Sequence, residues 1–467
     1  MSDATYAPIT GPSDERTLFG HPRGLYVLFL TEMWERFSYY GMRSLLVLYM
    51  VNYLFIHPDV GQRVLGFTAL KGGLESVFGP LAVQPLSSQI YGIYTALVYL
   101  TPFFGGLLAD RILGQRRTVV LGAILMAIGH FMMASEQLFF PALFCLILGN
   151  GAFKPNISTQ VGLLYKPGDP RRDGAFTIFY MGVNLGAFLS PLVCGTLGQK
   201  VGWHYGFGAA GVGMILGLIL YLSGQKYLAP DVLTQSRAAA AAVRAKMTRP
   251  ESLRVLALVT ICALNIVFWA CYEQQGNTMQ LWADQNTNWT FFGWTVPSTW
   301  FQSFNPIMIF IFAPLLNFFW AWQSRRKQEP SSIMKMAIGC FLLGLSFIIM
   351  ILAAQGFTPE TKRSLFWLTG TTFILTIGEL YLSPVGLSFV TKIAPPRMVS
   401  MLMGVWYLAN FAGNYLSGYL GTFWEKMPRE QFFLMLTVLG LCSGIAMFLI
   451  GRPLNKIVGS HDRGEVA

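Results

Sequence analysis

The sequence predicts an all-α membrane protein with twelve transmembrane helices arranged as two six-helix bundles. Three observations carry that expectation. Of 467 residues, 54% are hydrophobic and only 12% are charged, about half the charged share of a typical soluble domain. Twelve hydrophobic spans centre near Val47, Leu97, Leu125, Ile147, Ala187, Ile215, Leu264, Ile309, Leu345, Ile377, Ala409 and Gly440. Finally, the spans divide six and six around a polar segment, residues 224–253. This segment carries Arg237, an alanine run at 238–242, Arg244, Lys246 and Arg249, then Pro250. It is expected to form an amphipathic cytoplasmic helix joining an N-terminal bundle, 1–223, to a C-terminal bundle, 254–467. A segment of that length cannot cross a bilayer twice, since each crossing takes about 20 residues. The expected form therefore lacks additional helices between the bundles.

The net charge of +11 is a matter of topology. Lys and Arg collect in alternate loops on the side of both termini, and the positive-inside rule places that side in the cytoplasm. The clusters Arg111, Arg116, Arg117; Lys166, Arg171, Arg172; and Arg325, Arg326, Lys327 read as topology signals touching anionic membrane lipid. No basic groove interleaved with aromatics accompanies them, so no nucleic-acid partner is expected. The first twenty residues are polar, unlike a cleavable signal peptide. Six cysteines (Cys145, Cys194, Cys262, Cys271, Cys340 and Cys442) lie in hydrophobic spans without a CxxC pair. They read as small buried apolar residues, neither disulfide nor metal site. His130, alone in the third span, reads as a satisfied packing residue.

The first span, Leu25 to Phe55, contains Glu32, Glu35, Arg36 and Arg43. Each ionisable group at the bilayer centre costs roughly 2.5–3.5 kcal/mol even on the lenient insertion scale. At 100° per residue, Glu32, Glu35, Arg36, Tyr39, Tyr40 and Arg43 fit an arc of about 140°, a polar stripe lining a watery cavity. Lys154, Glu273 and Glu379 also lie deep in spans. The membrane interior then holds four acids and three bases, a formal sum of −1, and one added proton makes the set neutral. That surplus is the signature expected of a proton-coupled device. All three bases lie in the first half, whereas Glu273 and Glu379 lie in the second. A zwitterion bridging the halves would turn its carboxylate toward Arg36 and Lys154 and its ammonium toward Glu379. An Arg43–Glu273 bridge would serve as a gate, the alternative being a static helix-locking pair.

Between the second and third spans stands Gly105-Gly106-Leu-Leu-Ala-Asp110-Arg111-Ile-Leu-Gly114-Gln-Arg116-Arg117. It resembles the G-x-L-A-D-R-x-G-R-[KR] loop of the major facilitator superfamily. The glycine permits a tight turn, and Asp110 is expected to hold a basic group or helix N-terminus as a gating contact. Prolines at Pro155, Pro191, Pro306 and Pro384 each remove a backbone hydrogen bond within a span. A membrane tolerates this where neighbours or cavity water satisfy the freed groups.

Taken together, the chain resembles the proton-dependent oligopeptide transporter (POT) family over nearly its whole length. Glu32-x-x-Glu35-Arg36-Phe37-x-Tyr39-Tyr40-Gly41 matches the family's opening motif. Phe176-x-x-Phe179-Tyr180-x-x-Val-Asn184-x-Gly186, Gly151-Ala-Phe153-Lys154-Pro155-Asn156, Phe268-Trp269-Ala-Cys-Tyr272-Glu273-Gln274-Gln275 and Gly378-Glu379-Leu-Tyr-Leu-Ser383-Pro384 follow in order, with Trp406 and Asn410. The resemblance implies a bacterial-type symporter in the inner membrane, importing di- and tripeptides with protons as coupling ion, no other cofactor, and a functional monomer. It implies that Glu32, Glu35, Arg36, Lys154 and Glu273 couple protons, with Lys154 pairing Glu35 or the peptide carboxylate. Arg43 and Glu273 would form a salt-bridge gate, and Glu379 would hold the peptide amino terminus. Arg36, Tyr39, Tyr40, Arg43, Tyr94, Lys154, Asn156, Asn184, Trp269, Asn305, Ser383 and Trp406 would complete the peptide-binding surface. A membrane-embedded enzyme is the rival reading. It would need a nucleophile–base pair, a metal triad or a phosphate cradle. Gly206-Phe-Gly208-Ala-Ala-Gly211 opens no βαβ unit and reads as helix packing.

Overall fold

In hydrocarbon a backbone must satisfy its own polar groups, and apolar runs of this length do so as helices. The computed structural model describes residues 17–166, 169–231, 248–356, 358, 362–395 and 398–462. Apart from two small hairpins, Thr17–Leu18 with His21–Pro22 and Thr290–Phe291 with Trp294–Thr295, the regular structure described is helical. We number the long helices in order: α1 Arg23–Asn52, α2 Val83–Leu108, α3 Gln115–Met132, α4 Phe139–Leu163, α5 Arg171–Ser190, α6 Trp203–Gly224, α7 Arg249–Tyr272, α8 Phe304–Arg325, α9 Ser332–Ala354, α10 Leu365–Ile393, α11 Val399–Gly421 and α12 Arg429–Asp462. Among the described residues, nine helical stretches are long and apolar enough to cross a membrane; α1, α3 and α11 are the long helices that fall short of that measure. In α1 the shortfall reflects the charges Glu32, Glu35, Arg36 and Arg43 themselves.

Packing follows the two halves of the chain. In the first, α1 lies against α5 and α6, and α4 against α2 and α3; in the second, α9 lies against α10 and α12, and α11 against α7. Between halves, α2 packs on α11 and α5 on α8. The α2–α11 contact is intimate because Gly92 and Gly418 face each other backbone to backbone, where a Cβ on either would meet the other's Cα. The same closeness holds together the end of the molecule where α1 finishes and α2 begins. There Ser88 donates to Asn277 Oδ1 at 2.8 Å and Gln84 to the Gly421 carbonyl at 3.0 Å. The hydrogen bonds described between the halves all lie at this end.

Several expectations change in detail. The alanine-rich part of the linker, with Arg237, Arg244 and Lys246, lies outside the described residues. Its exit is visible: Thr248 caps α7, accepting from the Glu251 amide while Glu251 answers the Thr248 amide, a reciprocal cap that satisfies two orphan donors. Pro306 does not kink α8; it occupies the first turn, where no intrahelical N–H is needed. Pro155 and Pro384 do sit inside α4 and α10, and Pro191 opens a π-turn, Pro191–Gly195. Of the six cysteines, all free, Cys442 is exposed and Cys145 half-buried; they face outward from the bundle. His130 is fully buried, yet neither ring nitrogen has a hydrogen-bond partner among the described residues. It packs there as an unsatisfied group.

Candidate functional site

The polar stripe of α1 is real and buried. Glu35 is completely inaccessible, and Glu32 and Arg36 are each only 3% exposed. Glu35 and Arg36 are sequence neighbours, which on a helix normally diverge. Here the long guanidinium folds across: its Nε and Nη2 both donate to the Glu35 carboxylate, the latter at 2.8 Å. Its Nε also lies 3.2 Å from Glu32 Oε1 one turn away. One cation is thus shared by two carboxylates. Asn150 of α4 completes the group, donating to Glu35 Oε1 at 3.2 Å.

Lys154 is placed differently from its expected pairing. No carboxylate lies within ion-pair distance among the described residues; its Nζ sits over the Tyr99 ring, 4.7 Å from the centroid. Its field nevertheless reaches Glu32, Glu35 and Glu273. Arg36 has taken Glu35 in its stead. Lys154 is left as a half-buried ammonium held by a π-face, a cation able to accept an incoming carboxylate.

Two turns along α1, Arg43 forms an ion pair with Glu273 across the halves and donates from Nε to Tyr91 at 2.7 Å. Glu273 owes its position to a break that the sequence did not disclose. Helix α7 stops at Tyr272, a 3-10 turn spans Glu273–Gly276, and a short helix resumes at Thr278–Asn286. Gly276 lies against the Tyr91 hydroxyl so closely that a Cβ could not be accommodated. The Arg43–Glu273 pairing expected of a gate is thus formed.

In the opposite half, Glu379 of α10 accepts from Asn305 at 2.8 Å, and Asn305 also reaches Thr376 at 3.0 Å. Tyr272 approaches Asn305 Oδ1 at 3.4 Å. No cation pairs with Glu379 among the described residues. Tyr40 lies on α1 against the Arg43 guanidinium, 5.9 Å from its ring centroid. Tyr39 stands over Arg36 at 5.2 Å and edge-on to Tyr40. Trp269 stands edge-on to Tyr272. Tyr94 and Trp406 are buried, the latter against Gly386, and Ser383 is half-buried.

Two of the expected polar contacts are committed to the backbone. Asn156 donates to the Ala152 and Gly105 carbonyls at 2.7 and 3.3 Å, tying α4 to α2. Asn184 donates to the Tyr180 carbonyl on its own helix at 3.0 Å. Asp110 is exposed on the π-turn Ala109–Leu113 and has no hydrogen bond or ion pair among the described residues. The residue that caps α3 is instead Asp231, accepting from the Arg116 amide at 2.8 Å. The turn's glycine is Gly114, at φ 81°. Tyr91, Tyr99 and Asn150 were not anticipated, and Tyr272 entered only as a letter of the family motif. Asn150, one helical turn before Lys154 in an apolar span, carried the signal that could have revealed it.

The sequence profile described as the POT family matches residues 116–237 and 231–435. The chain belongs to the POT family. This POT family chain is 34% identical over 525 residues to the peptide transporter YePEPT of Yersinia enterocolitica subsp. palearctica, covering 97% of this chain and 98% of that one. It is 33% identical over 508 residues to a di-/tripeptide transporter of Lactococcus lactis subsp. cremoris, covering 95% and 98% respectively. Among solved structures, a peptide transporter POT in complex with sulfate is 35% identical, with a TM-score of 0.81 over 95% of this chain and 97% of that one. A POT family transporter in complex with 5-aminolevulinic acid is 30% identical, with a TM-score of 0.80 over 94% and 98%. This POT member is therefore a multi-pass membrane transporter and not an enzyme.

Proposed function

We infer that this chain is a proton-coupled symporter importing di- and tripeptides by alternating access between its two halves. The observation that carries the reading is the division of charge: the shared Arg36 and the carboxylate-free Lys154 in one half, the cation-free Glu379 in the other. A peptide zwitterion complements both ends, with its carboxylate at Arg36 and Lys154 and its ammonium at Glu379 and Asn305. Tyr39, Tyr40, Tyr94, Trp269, Ser383 and Trp406 supply broad aromatic and polar surface that tolerates many side chains. The named substrates of the relatives agree with it.

Charge counting supplies the coupling. Glu32, Glu35, Arg36 and Lys154 sum to zero when both acids are ionised. A peptide carboxylate brings an uncompensated negative charge into that group, and a proton on Glu32 or Glu35 cancels it. Protonation also loosens Arg36 from one of its two acids, freeing it for the peptide. We assign all twelve long helices to crossings of a bacterial inner membrane, with both termini cytoplasmic, two six-helix units and a functional monomer needing no cofactor beyond protons. On that orientation the end that carries the Arg43–Glu273 pair faces outward. Protein reconstituted in liposomes should accumulate a labelled dipeptide under an inward proton gradient. Accumulation that survives a protonophore would sink the coupling.

A further inference from the structure

Two short hairpins stand at opposite ends of the molecule and share one kind of turn. The first, Thr17–Leu18 paired with His21–Pro22, runs straight into α1. The second, Thr290–Phe291 paired with Trp294–Thr295, precedes α8 and follows the break that meets Arg43, at the end where α1 finishes. With its 30 residues, α1 extends about 45 Å from one end to the other at 1.5 Å per residue. Each hairpin turns on a Phe-Gly pair with both φ angles positive: Phe19 at 48° and Gly20 at 81°, Phe292 at 49° and Gly293 at 80°. This is the type I′ geometry, for which Asn-Gly and Asp-Gly are the unstrained choices. A bulky side chain at positive φ is strained. Outside glycine, only Phe19, Phe292 and Lys327 adopt it among the described residues. Both rings nevertheless turn away from the protein, Phe19 being 85% exposed and Phe292 fully exposed. In water, asparagine would suit both positions better on backbone and solvation grounds alike. An apolar surrounding is the medium that fits phenylalanine there.

We propose that the two turn tips are membrane-interface anchors, each seating a phenyl ring at the boundary of lipid headgroups and acyl chains, one at either face of the bilayer. Continuity with the lipid-facing surface identifies the occupant. Ile307, Ile311, Leu315 and Phe318, three or four residues apart, expose one stripe of α8 that runs on from the second hairpin. Trp289 ties that hairpin to the helix, its ring 6.3 Å from Phe304, and Trp294 stands edge-on to Trp300 at 5.7 Å. Phe291 and Trp294 are themselves exposed, and no charged residue occurs between Asp284 and Arg325. Exposed aromatics without charge, at the end of a membrane-crossing helix, have the composition of an aromatic belt. Reach agrees with it. With two residues per strand, each tip lies about 7 Å beyond its base, within a headgroup layer that adds roughly 5–8 Å to each side of the hydrocarbon. At the other end, Phe19 meets Tyr26 of α1 edge-on at 6.2 Å, beside the exposed Leu18 and Leu30. Arg171, paired with Asp169, donates to the Gly20 carbonyl at 3.0 Å and fixes this turn to the start of α5.

The proposal needs only that the chain spans a membrane. Its test therefore uses the full chain in vesicles of phosphatidylethanolamine and phosphatidylglycerol, with neither peptide nor proton gradient. Benzoylphenylalanine, a photoreactive aromatic amino acid, replaces Phe19 or Phe292. Gln62, an exposed residue between α1 and α2, is the control position. Irradiation should attach phospholipid at the Phe19 and Phe292 positions at least about tenfold more than at the Gln62 position, the partition expected when one phenyl side chain is buried. A yield no higher than the control at either tip would overturn the proposal. Crosslinks made chiefly to a second copy of the chain would do the same. Should the photoreactive variants fail to fold, nitroxide labels at Phe19→Cys and Phe292→Cys decide the point, with Cys145 and Cys442 replaced by alanine. Collisions with oxygen should exceed those with a water-soluble nickel chelate at both sites, and the reverse order at either site also overturns the anchors.

Discussion

At the scale of single residues, the arrangement around Glu35 makes the sharpest prediction. Glu35→Gln keeps the shape and one acceptor but removes the charge that helps hold Arg36. Proton-driven uptake of a labelled dipeptide should be abolished in proteoliposomes, whereas counterflow exchange, which needs no net proton movement, persists. Driven uptake at the wild-type rate would remove Glu35 from the proton path. Glu379 makes a complementary one. Its carboxylate has the Asn305 amide but no cation among the described residues, so it is available to an ammonium. Glu379→Ala should weaken peptides with a free amino terminus about tenfold, the worth of one charge-assisted hydrogen bond, and N-blocked peptides far less. Competition assays with the two classes decide it, and equal losses contradict the assignment. Both residues were legible in the sequence because charge inside a membrane is costly and therefore conspicuous. Their partners were less legible. The resemblance implied that Lys154 pairs Glu35 or the peptide carboxylate; Glu35 is held by Arg36, which is long enough to fold back onto its neighbour. Gln84, Ser88 and Asn277 escaped notice because a neutral amide or hydroxyl looks ordinary until a residue far along the chain meets it.

At the scale of elements, hydropathy located the helices but not their interruptions. The break between Tyr272 and Thr278 carries no proline; Glu273 and Gly276 mark it only once Arg43 and Tyr91 are seen to occupy the space it makes. The α2–α11 crossing has the same character, since Gly92 and Gly418 were merely two of 48 glycines. Their contact leaves no room for a side chain on either helix. Gly92→Leu should therefore push the two helices apart, at about 1–3 kcal/mol for overpacking a tight interface. In detergent the variant should melt at a lower temperature. Ser88→Ala, which removes one hydrogen bond at the same interface but adds no bulk, should change the melting temperature less. Equal drops would assign the effect to polar contacts instead of close approach.

At the scale of the whole molecule, the two halves could be read from the sequence as a charge asymmetry, but the state they adopt could not. A state is a choice between sets of contacts, and the sequence contains the residues of both sets. Here the Arg43–Glu273 pair, the Ser88–Asn277 bond and the tight α2–α11 crossing sit at one end together, so the halves are joined there by a layered contact and no single bridge. The inner layer is the one that cannot be lost quietly. Removing one member of a buried ion pair strands the other and costs about 3–5 kcal/mol. Arg43→Ala and Glu273→Ala should each displace the population from the closed state and impair uptake. The exchanged pair, Arg43→Glu with Glu273→Arg, restores opposite charges across the same gap, and Tyr91 can donate to the new carboxylate where it now accepts from the guanidinium. The double exchange should thus recover the wild-type distance distribution between spin labels at Val201→Cys and Phe292→Cys, exposed positions on opposite halves of this end, more fully than it recovers transport. Transport should also feel the sign of these two charges, which the exchange reverses. Recovery of neither closure nor transport would mean that the pair's orientation, and not its mere complementarity, holds the halves shut.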